Sequence, residues 1–184
     1  MIRTTASSPP AVFARRAALV LAGSGLLYVS AQIAVPATSI WGVPITLQTL
    51  AIPVLVALLG RNLGVLAVVA YLAEGIAGLP VFQGHSGGIH VFVGPTGGYL
   101  VGFPIAAYVT GTLYRLGFDR GYGRRFVAVL LGTSVVFVTG PLWLAAVFFG
   151  GDLGRAFTVG VAPFIIGDLA KCLVAAGVRP RGDR

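Results

Sequence analysis

Charged side chains are so scarce in this chain that a water-soluble fold is excluded. Only 10% of its 184 residues are Asp, Glu, Lys or Arg, whereas 57% are hydrophobic. A soluble domain carries about 25% charged residues, and a disordered chain is poor in apolar ones. The mean hydropathy of +0.93 instead indicates a protein whose solvent is lipid. At about 20 residues per membrane-spanning helix, the chain has room for about six helices and none for a second domain.

Apolar runs occur six times along the chain, and each predicts a helix that crosses the membrane. They cover residues 17–35, 50–60, 63–79, 98–116, 126–149 and 157–178. The second run is too short to cross a full hydrocarbon core. We therefore expect it to tilt, to begin as early as Leu47, or to form part of a broken helix that protein covers. The first run is longer than the core of a signal peptide, so we expect it to be retained as a span.

These runs predict an all-α membrane protein, a bundle of six transmembrane helices formed by residues 13–178. Residues 1–12 are expected to form a flexible cytoplasmic N-terminus, and residues 179–184 a basic cytoplasmic tail. The basic residues set the orientation, because Lys and Arg are enriched at the cytoplasmic ends of membrane helices. Eleven of the thirteen lie on one predicted side, Arg155 lies on the other and Lys171 lies inside the sixth run. Both termini are thus predicted to be cytoplasmic, and since topology explains the net charge of +8, nucleic acid is not an expected partner.

Motifs for catalysis or nucleotide binding are missing from the sequence. The phosphate loop G-x-x-x-x-G-K-[ST] is absent, and the only lysine, Lys171, follows an alanine rather than a glycine. His85 and His90 have no carboxylate or cysteine close in sequence, so surface histidines are a better interpretation than a metal site. The single Cys172 excludes an intramolecular disulfide and a cysteine-based zinc site. We predict no enzyme and no cofactor; an intramembrane enzyme and a purely structural subunit are the alternatives from other classes.

Two ionic side chains lie inside the sixth apolar run. Asp168 and Lys171 are three residues apart and therefore project from one face of a helix. Each costs on the order of 3 kcal/mol at the centre of a membrane, and such residues usually face the bundle interior and mark a functional site. The alternatives are a structural pair that neutralises itself, or a lysine that reaches the interface. We favour a functional site, because Pro163 and Gly167 also loosen the backbone there.

Segments on the predicted outer side can complete a site with these ions. The glycine-rich loop of residues 80–97 is too apolar for a solvated linker, so we interpret it as a lid over a pocket. A loop packed on the bundle without a ligand is the alternative. Gln48 lies at the start of the second span, two residues before its apolar run, where its amide can bind a ligand, and Trp41 is either a further contact or an interfacial anchor. Glu74 either faces the same pocket or lies near the outer interface.

Small residues recur every four positions in two of the predicted helices. They are Ala14, Ala18 and Ala22 in the first helix, and Gly98, Gly102 and Ala106 in the fourth. Such stripes let helices approach closely in lipid. Packing within the chain is the default interpretation, and an alanine stripe exposed to a partner protein is the sharper one.

Four short segments occur together in one order along the chain. They are residues 43–50 (VPITLQTL), 78–82 (GLPVF), 94–100 (GPTGGYL) and 167–171 (GDLAK). This set resembles the BioY family, the biotin-specific substrate-binding components of energy-coupling-factor (ECF) transporters. The resemblance covers about residues 13–178, and its last two segments are the most specific. The chain differs from the family pattern at Ile166, where proline is more common, and at His85-Ser86, in a loop that is usually richer in glycine.

The resemblance implies high-affinity binding and uptake of biotin by a multi-pass protein of the bacterial cell (inner) membrane. It implies a biotin site near the outer face, covered by the first and third outer loops. It also implies assembly with a transmembrane coupling subunit and two ATPase subunits through the alanine stripe Ala14, Ala18 and Ala22. The alternatives are a component for another vitamin or small hydrophobic metabolite, and a biotin transporter that acts alone.

Biotin has a polar ureido ring, an apolar thioether ring and a carboxylate, and each needs partners in such a site. We expect Asp168 to accept from the ureido N–H groups, and Lys171 and Gln48 to donate to a carbonyl or carboxylate. The loop supplies further donors, and two aromatic side chains are expected to pack on the apolar ring. Which polar group meets which end of biotin stays open. The expected substrate-binding residues are Asp168, Lys171, Gln48, Ser86, Gly87, Tyr99 and Trp143.

Overall fold

The chain folds into a helical bundle, and the computed structural model describes residues 9–35 and 43–181 of it. In chain order the main elements are α1 (Pro9–Gln32), β1 (Ala34–Val35), β2 (Ile45–Thr46), α2 (Gln48–Ile76), α3 (His90–Val93), α4 (Gly97–Leu113), α5 (Tyr122–Phe148), α6 (Leu153–Gly160) and α7 (Ile165–Gly177). Strands β1 and β2 form one antiparallel pair. Short 3-10 turns lie at Gln83–His85 and Ala162–Phe164, and a π-helical turn, Tyr114–Phe118, extends α4.

Helix α2 contains two of the predicted spans, because it folds back on itself at Gly60. Gly60 has φ 78° and ψ 168°, a conformation that glycine adopts without a Cβ penalty. The Val56 side chain lies against Gly64, and Gln48 Nε2 donates to Tyr71 Oη at 2.9 Å, so the two arms run antiparallel. The first arm, residues 48–59, is about 18 Å long and does not cross a full hydrocarbon core. Most of its residues are buried by the rest of the bundle instead.

Six segments therefore run from one end of the bundle to the other, which confirms the predicted fold class. In the described part of the chain, four helical stretches are long and apolar enough to span a membrane, and they are Pro10–Gln32, Gln48–Ile76, Tyr122–Phe148 and Leu153–Gly177. The two arms of α2 and the combination of α4 with its π-helical turn bring the number of crossings to six. Some boundaries differ from those predicted. The first helix begins at Pro9 rather than Ala17, and the sixth span begins at Leu153 and is interrupted near Pro163, which has no N–H to continue a helix.

The arginines predicted to be cytoplasmic meet at one end of the bundle, which we call the arginine-rich end. Arg61, Arg115, Arg120 and Arg181 surround one hollow there. Arg16, near the start of α1, lines a neighbouring groove together with Arg115. Both ends of the described chain thus lie at the arginine-rich end, which the charge rule assigns to the cytoplasm. We call the opposite end the outer end.

The two stripes of small residues have different surroundings. A Cβ atom on Gly98 would collide with Cβ of Trp143, and one on Gly102 would lie 3.1 Å from Cα of Val136. The stripe on α4 therefore packs within the chain, against α5. The other stripe, Ala14, Ala18 and Ala22, is exposed along α1.

Candidate functional site

A cavity of about 180 Å³ lies near the outer end of the bundle. Its walls come from β2, both arms of α2, the loop of residues 80–97, and helices α4, α5 and α7. Six aromatic side chains line it, namely Tyr71, Phe82, Tyr99, Phe103, Phe137 and Phe164. The polar side chains lie on two sides of it: Gln83, Ser86 and Thr96 belong to the loop of residues 80–97, whereas Thr46, Gln48, Thr49 and Lys171 converge where β2 and the start of α2 face α7. A mostly apolar pocket with a few convergent polar groups is typical of a small-molecule site.

Lys171 extends from α7 to the irregular backbone that leads into α2. Its Nζ donates to the Thr46 carbonyl at 2.7 Å and to Thr49 Oγ1 at 3.1 Å. An ammonium group has three N–H donors, and these two residues occupy two of them. The third donor is suited to a ligand oxygen in the cavity, which Lys171 lines.

Asp168 lies almost one helical turn before Lys171 and is 6% exposed. Its Oδ2 accepts a weak hydrogen bond from Sγ of Cys172 at 3.7 Å, and its Oδ1 has no hydrogen-bond partner among the described residues. Asp168 is outside the cavity lining, and the hydrogen bonds of Lys171 go to residues of β2 and α2. A buried carboxylate oxygen without a donor is costly. Because Asp168 lies outside the cavity lining, its predicted role as an acceptor for a ligand stays a prediction.

Gln48 belongs to a chain of hydrogen bonds that crosses the cavity wall. Thr46 Oγ1 donates to Gln48 Oε1 at 3.0 Å, and Gln48 Nε2 donates to Tyr71 Oη at 2.9 Å. Tyr71 Oη in turn donates to the carbonyl of Val81 at 3.1 Å. The chain joins β2, both arms of α2 and the start of the loop of residues 80–97. Because the Gln48 amide is held in this way, its remaining N–H and its oxygen have a fixed direction at the cavity.

The loop of residues 80–97 is held against the bundle in its first half by an aromatic side chain and an amide. Phe82 is 2% exposed, and its ring fills the space that a side chain on Gly75 would need. Gln32, the last residue of α1, donates from Nε2 to the Phe82 carbonyl at 3.0 Å and accepts from the His85 N–H at 3.2 Å. The loop also contributes Ser86 to the cavity lining, so its position is that expected of a lid.

The second half of the loop is held by Trp143 of α5. Its Nε1 donates to the Gly94 carbonyl at 2.9 Å, and Trp143 does not line the cavity. Gly87 lies outside the lining as well, packed so closely on the Leu79 carbonyl that no side chain would fit. Both residues shape the loop, and their contact with a ligand stays a prediction. Trp41 lies outside the described residues.

Four of the predicted residues do line the cavity: Gln48, Ser86, Tyr99 and Lys171. The Tyr99 hydroxyl donates to the Gly160 carbonyl at 2.9 Å, and the Ser86 hydroxyl donates to the Gln83 carbonyl at 2.8 Å. The ring of Tyr99 thus faces the cavity as apolar surface. Sequence reasoning missed Thr49, Tyr71 and Phe82, although the tyrosine hydroxyl inside an apolar run was a usable signal.

Glu74 and the two histidines lie away from this cavity. Glu74 accepts a hydrogen bond from the Ser24 hydroxyl, which joins α1 to the second arm of α2. His85 and His90 both lie on the loop of residues 80–97 and are exposed. Within residues 9–35 and 43–181, no group of three or more His, Cys, Asp or Glu side chains has the arrangement of a metal site.

Several known proteins are similar to this chain in sequence, and one solved structure is similar to it in fold. The sequence model of the BioY family matches residues 3–184. The chain is 39% identical over 169 residues to the probable biotin transporter BioY of Pyrococcus horikoshii, a match that covers 91% of this chain and 96% of that protein. It is 37% identical over 153 residues to the biotin transporter BioY of Thermotoga maritima, covering 83% and 86%. A crystal structure of the S-component for biotin from an ECF-type ABC transporter has a TM-score of 0.81 and 27% identity, covering 93% of this chain and 91% of that one.

Proposed function

Because the chain belongs to the BioY family, we propose that it binds biotin and carries it across the membrane as the substrate-binding component of an ECF transporter. The observation that supports this most directly is the cavity near the outer end, where an ammonium group enters a mostly apolar pocket that six aromatic side chains line. Biotin combines an apolar bicyclic ring with polar groups at two ends. A site of this composition can hold the ring by burial and fix its direction by a few hydrogen bonds.

The polar groups of the site support a division of roles. Lys171 has one N–H donor beyond those that Thr46 and Thr49 occupy, and we propose that it binds a carbonyl or carboxylate oxygen of biotin. The free Oδ1 of Asp168 is the acceptor that we propose for a ureido N–H. A site that hydrogen-bonds its ligand in this way rejects analogues that leave buried polar groups unpaired. Tyr99 and Phe164 supply the flat apolar surface for the ring.

A small molecule that co-purifies with the protein gives the first test of this function. We expect the full chain, purified in detergent and denatured, to release biotin that mass spectrometry identifies. Added biotin should bind saturably with one site per chain, and riboflavin or thiamine should not compete with it. Repeated absence of biotin, together with no binding of added biotin, would contradict the proposed function. Preferential binding of another vitamin would support the alternative ligand class on the same scaffold.

ATP-driven transport would draw its energy from other subunits, because the sequence of this chain contains no phosphate loop. We propose that a transmembrane coupling subunit and two ATPase subunits supply it, in the cytoplasmic membrane of a bacterium. The exposed stripe Ala14, Ala18 and Ala22 is the proposed contact surface. Small side chains there would let a partner helix approach α1 closely.

The substitution Ala18→Trp tests this surface. The bulky side chain should prevent close approach of a partner helix, so co-purification with the coupling subunit and biotin uptake by cells should be lost. Biotin binding by the isolated protein should stay within about twofold, because the stripe is far from the cavity. Val138→Trp is a matched control, since Val138 is 56% exposed on α5. If Ala18→Trp leaves the complex intact, the alanine stripe is not the partner surface.

A further inference from the structure

Helix α1 packs closely on α2 near the outer end and separates from it toward the arginine-rich end. Phe13, Val20 and Leu27 are seven residues apart and so lie on one face of the helix. Leu27 is 0% exposed, whereas Phe13 on the same face is 76% exposed. Near the middle of α1 the two helices still touch, since a Cβ on Gly23 would lie 2.7 Å from the Cβ of Ala67. From Gly23 toward the arginine-rich end the two helices diverge and leave an open wedge between them.

The wedge lies between the second arm of α2 and the half of α1 nearer the arginine-rich end, and its volume is about 740 Å³. Its walls in the membrane are apolar and include Val20, Leu66 and Val69. At the arginine-rich end, Arg16 and Arg115 line it as well. An apolar groove that ends in arginines at the level of the lipid headgroups is complementary to a lipid with an anionic headgroup. A basic pocket between helices on the cytoplasmic side suits an anionic headgroup.

We propose that this wedge is a binding site for an anionic phospholipid. One acyl chain fills the space between Val20 and Leu66, and the phosphodiester lies between Arg16 and Arg115, with Asn62 as a further donor. The helical stretch from Asn62 to Ala70 is about 12 Å long, which accommodates the upper part of one chain. The lipid packs against the half of α1 nearer the arginine-rich end, as protein side chains pack against Leu27 near the outer end.

A protein partner on the alanine stripe would not fill this site. At about 100° per residue, Ala18 and Ala22 lie roughly 140–180° around α1 from Phe13 and Val20, whereas Ala14 lies roughly 100–120° from them. Ala18 and Ala22 are therefore on nearly the opposite side of the helix from the wedge. A subunit docked on Ala18 and Ala22 would leave the wedge open to lipid.

Native mass spectrometry of the full chain in detergent tests the proposal. After removal of co-purified lipid, we expect one phosphatidylglycerol to be retained at concentrations where phosphatidylcholine with the same acyl chains is not. Arg16→Gln should weaken retention of phosphatidylglycerol about fivefold, the effect of one cation near a membrane surface. Arg124→Gln, which removes an exposed arginine outside the wedge, should leave it unchanged.

Filling the wedge gives a second, independent measurement. Ala17→Phe should abolish retention of phosphatidylglycerol although every arginine remains, whereas Ala18→Phe, one residue further around α1, should not. Thermal melting of each variant shows whether it is folded, and Arg16→Gln is informative by itself if Ala17→Phe does not fold. Equal retention of the two lipids with no effect of Arg16→Gln would overturn the proposal. So would displacement of the lipid by inorganic phosphate alone, which would indicate a simple anion site. Loss of the coupling subunit from Ala17→Phe, with lipid retention unchanged, would assign the wedge to a protein partner and overturn it equally.

Discussion

Replacing Lys171 with alanine is expected to raise the Kd for biotin at least about thirtyfold. The ammonium group joins the Thr46 carbonyl and Thr49 Oγ1 to the cavity, so its removal takes a donor from the ligand and leaves a wall acceptor unpaired. Truncating one partner of a buried, hydrogen-bonded charged group costs about 2–5 kcal/mol, and 2 kcal/mol corresponds to that factor. Isothermal titration of biotin into the purified protein in detergent measures the change.

The control for Lys171→Ala comes from the same helix. Leu173→Ala truncates a side chain that is 47% exposed on the outside of α7, and it should leave the Kd within about twofold. Asp168→Asn tests the second ion, because it keeps the shape of the side chain and changes one acceptor oxygen into a donor. A loss of affinity in both charge variants is expected. If Asp168→Asn and Lys171→Ala both bind biotin as tightly as the unaltered protein, these residues do not belong to the site.

The number of crossings could be predicted because lipid allows few alternatives to apolar helices. Arg61 and Asn62 interrupt the apolar sequence, and this was enough to separate the second run from the third. The sequence pattern did not reveal that the reversal takes place within one residue, Gly60, with no intervening loop. It also did not reveal the interruption of the sixth span near Pro163 as a break between two helices, because proline is tolerated inside membrane helices when neighbours satisfy the backbone.

The site was less predictable than the fold, since spacing indicates which residues share a helical face and not which helix lies opposite. Lys171 could be singled out as an ion in lipid, but its partners Thr46 and Thr49 are more than 120 residues away in the chain. Trp143 was expected to contact the ligand because of its type, and its spacing gave no sign that its indole N–H donates to the Gly94 carbonyl. The hydroxyl of Tyr71 inside an apolar run was a signal, but its partners Gln48 on the other arm of α2 and Val81 in the loop could not be predicted from spacing.

Helix α4 approaches α5 so closely at Gly98 that the smallest added side chain is expected to destabilise the fold. In Gly98→Ala the new methyl group would collide with Cβ of Trp143 and lie 2.6 Å from the Thr139 carbonyl oxygen. Rotation of side chains cannot relieve either contact, because one atom is backbone and the other is fixed to it. The two helices must therefore move apart. Overpacking of this kind costs about 1–3 kcal/mol and occasionally more.

A displaced α5 would also carry Trp143 away from the Gly94 carbonyl and loosen the loop over the cavity. We therefore expect Gly98→Ala to lower both the free energy of unfolding and the affinity for biotin, measured by titration with denaturing detergent and by isothermal titration. Gly177→Ala is the matched control, because a Cβ at the end of α7 meets no atom within 4 Å. Equal stability of the two variants would show that α4 and α5 have room to separate at Gly98. A loss of stability with unchanged affinity would show that the loop is held independently of Trp143.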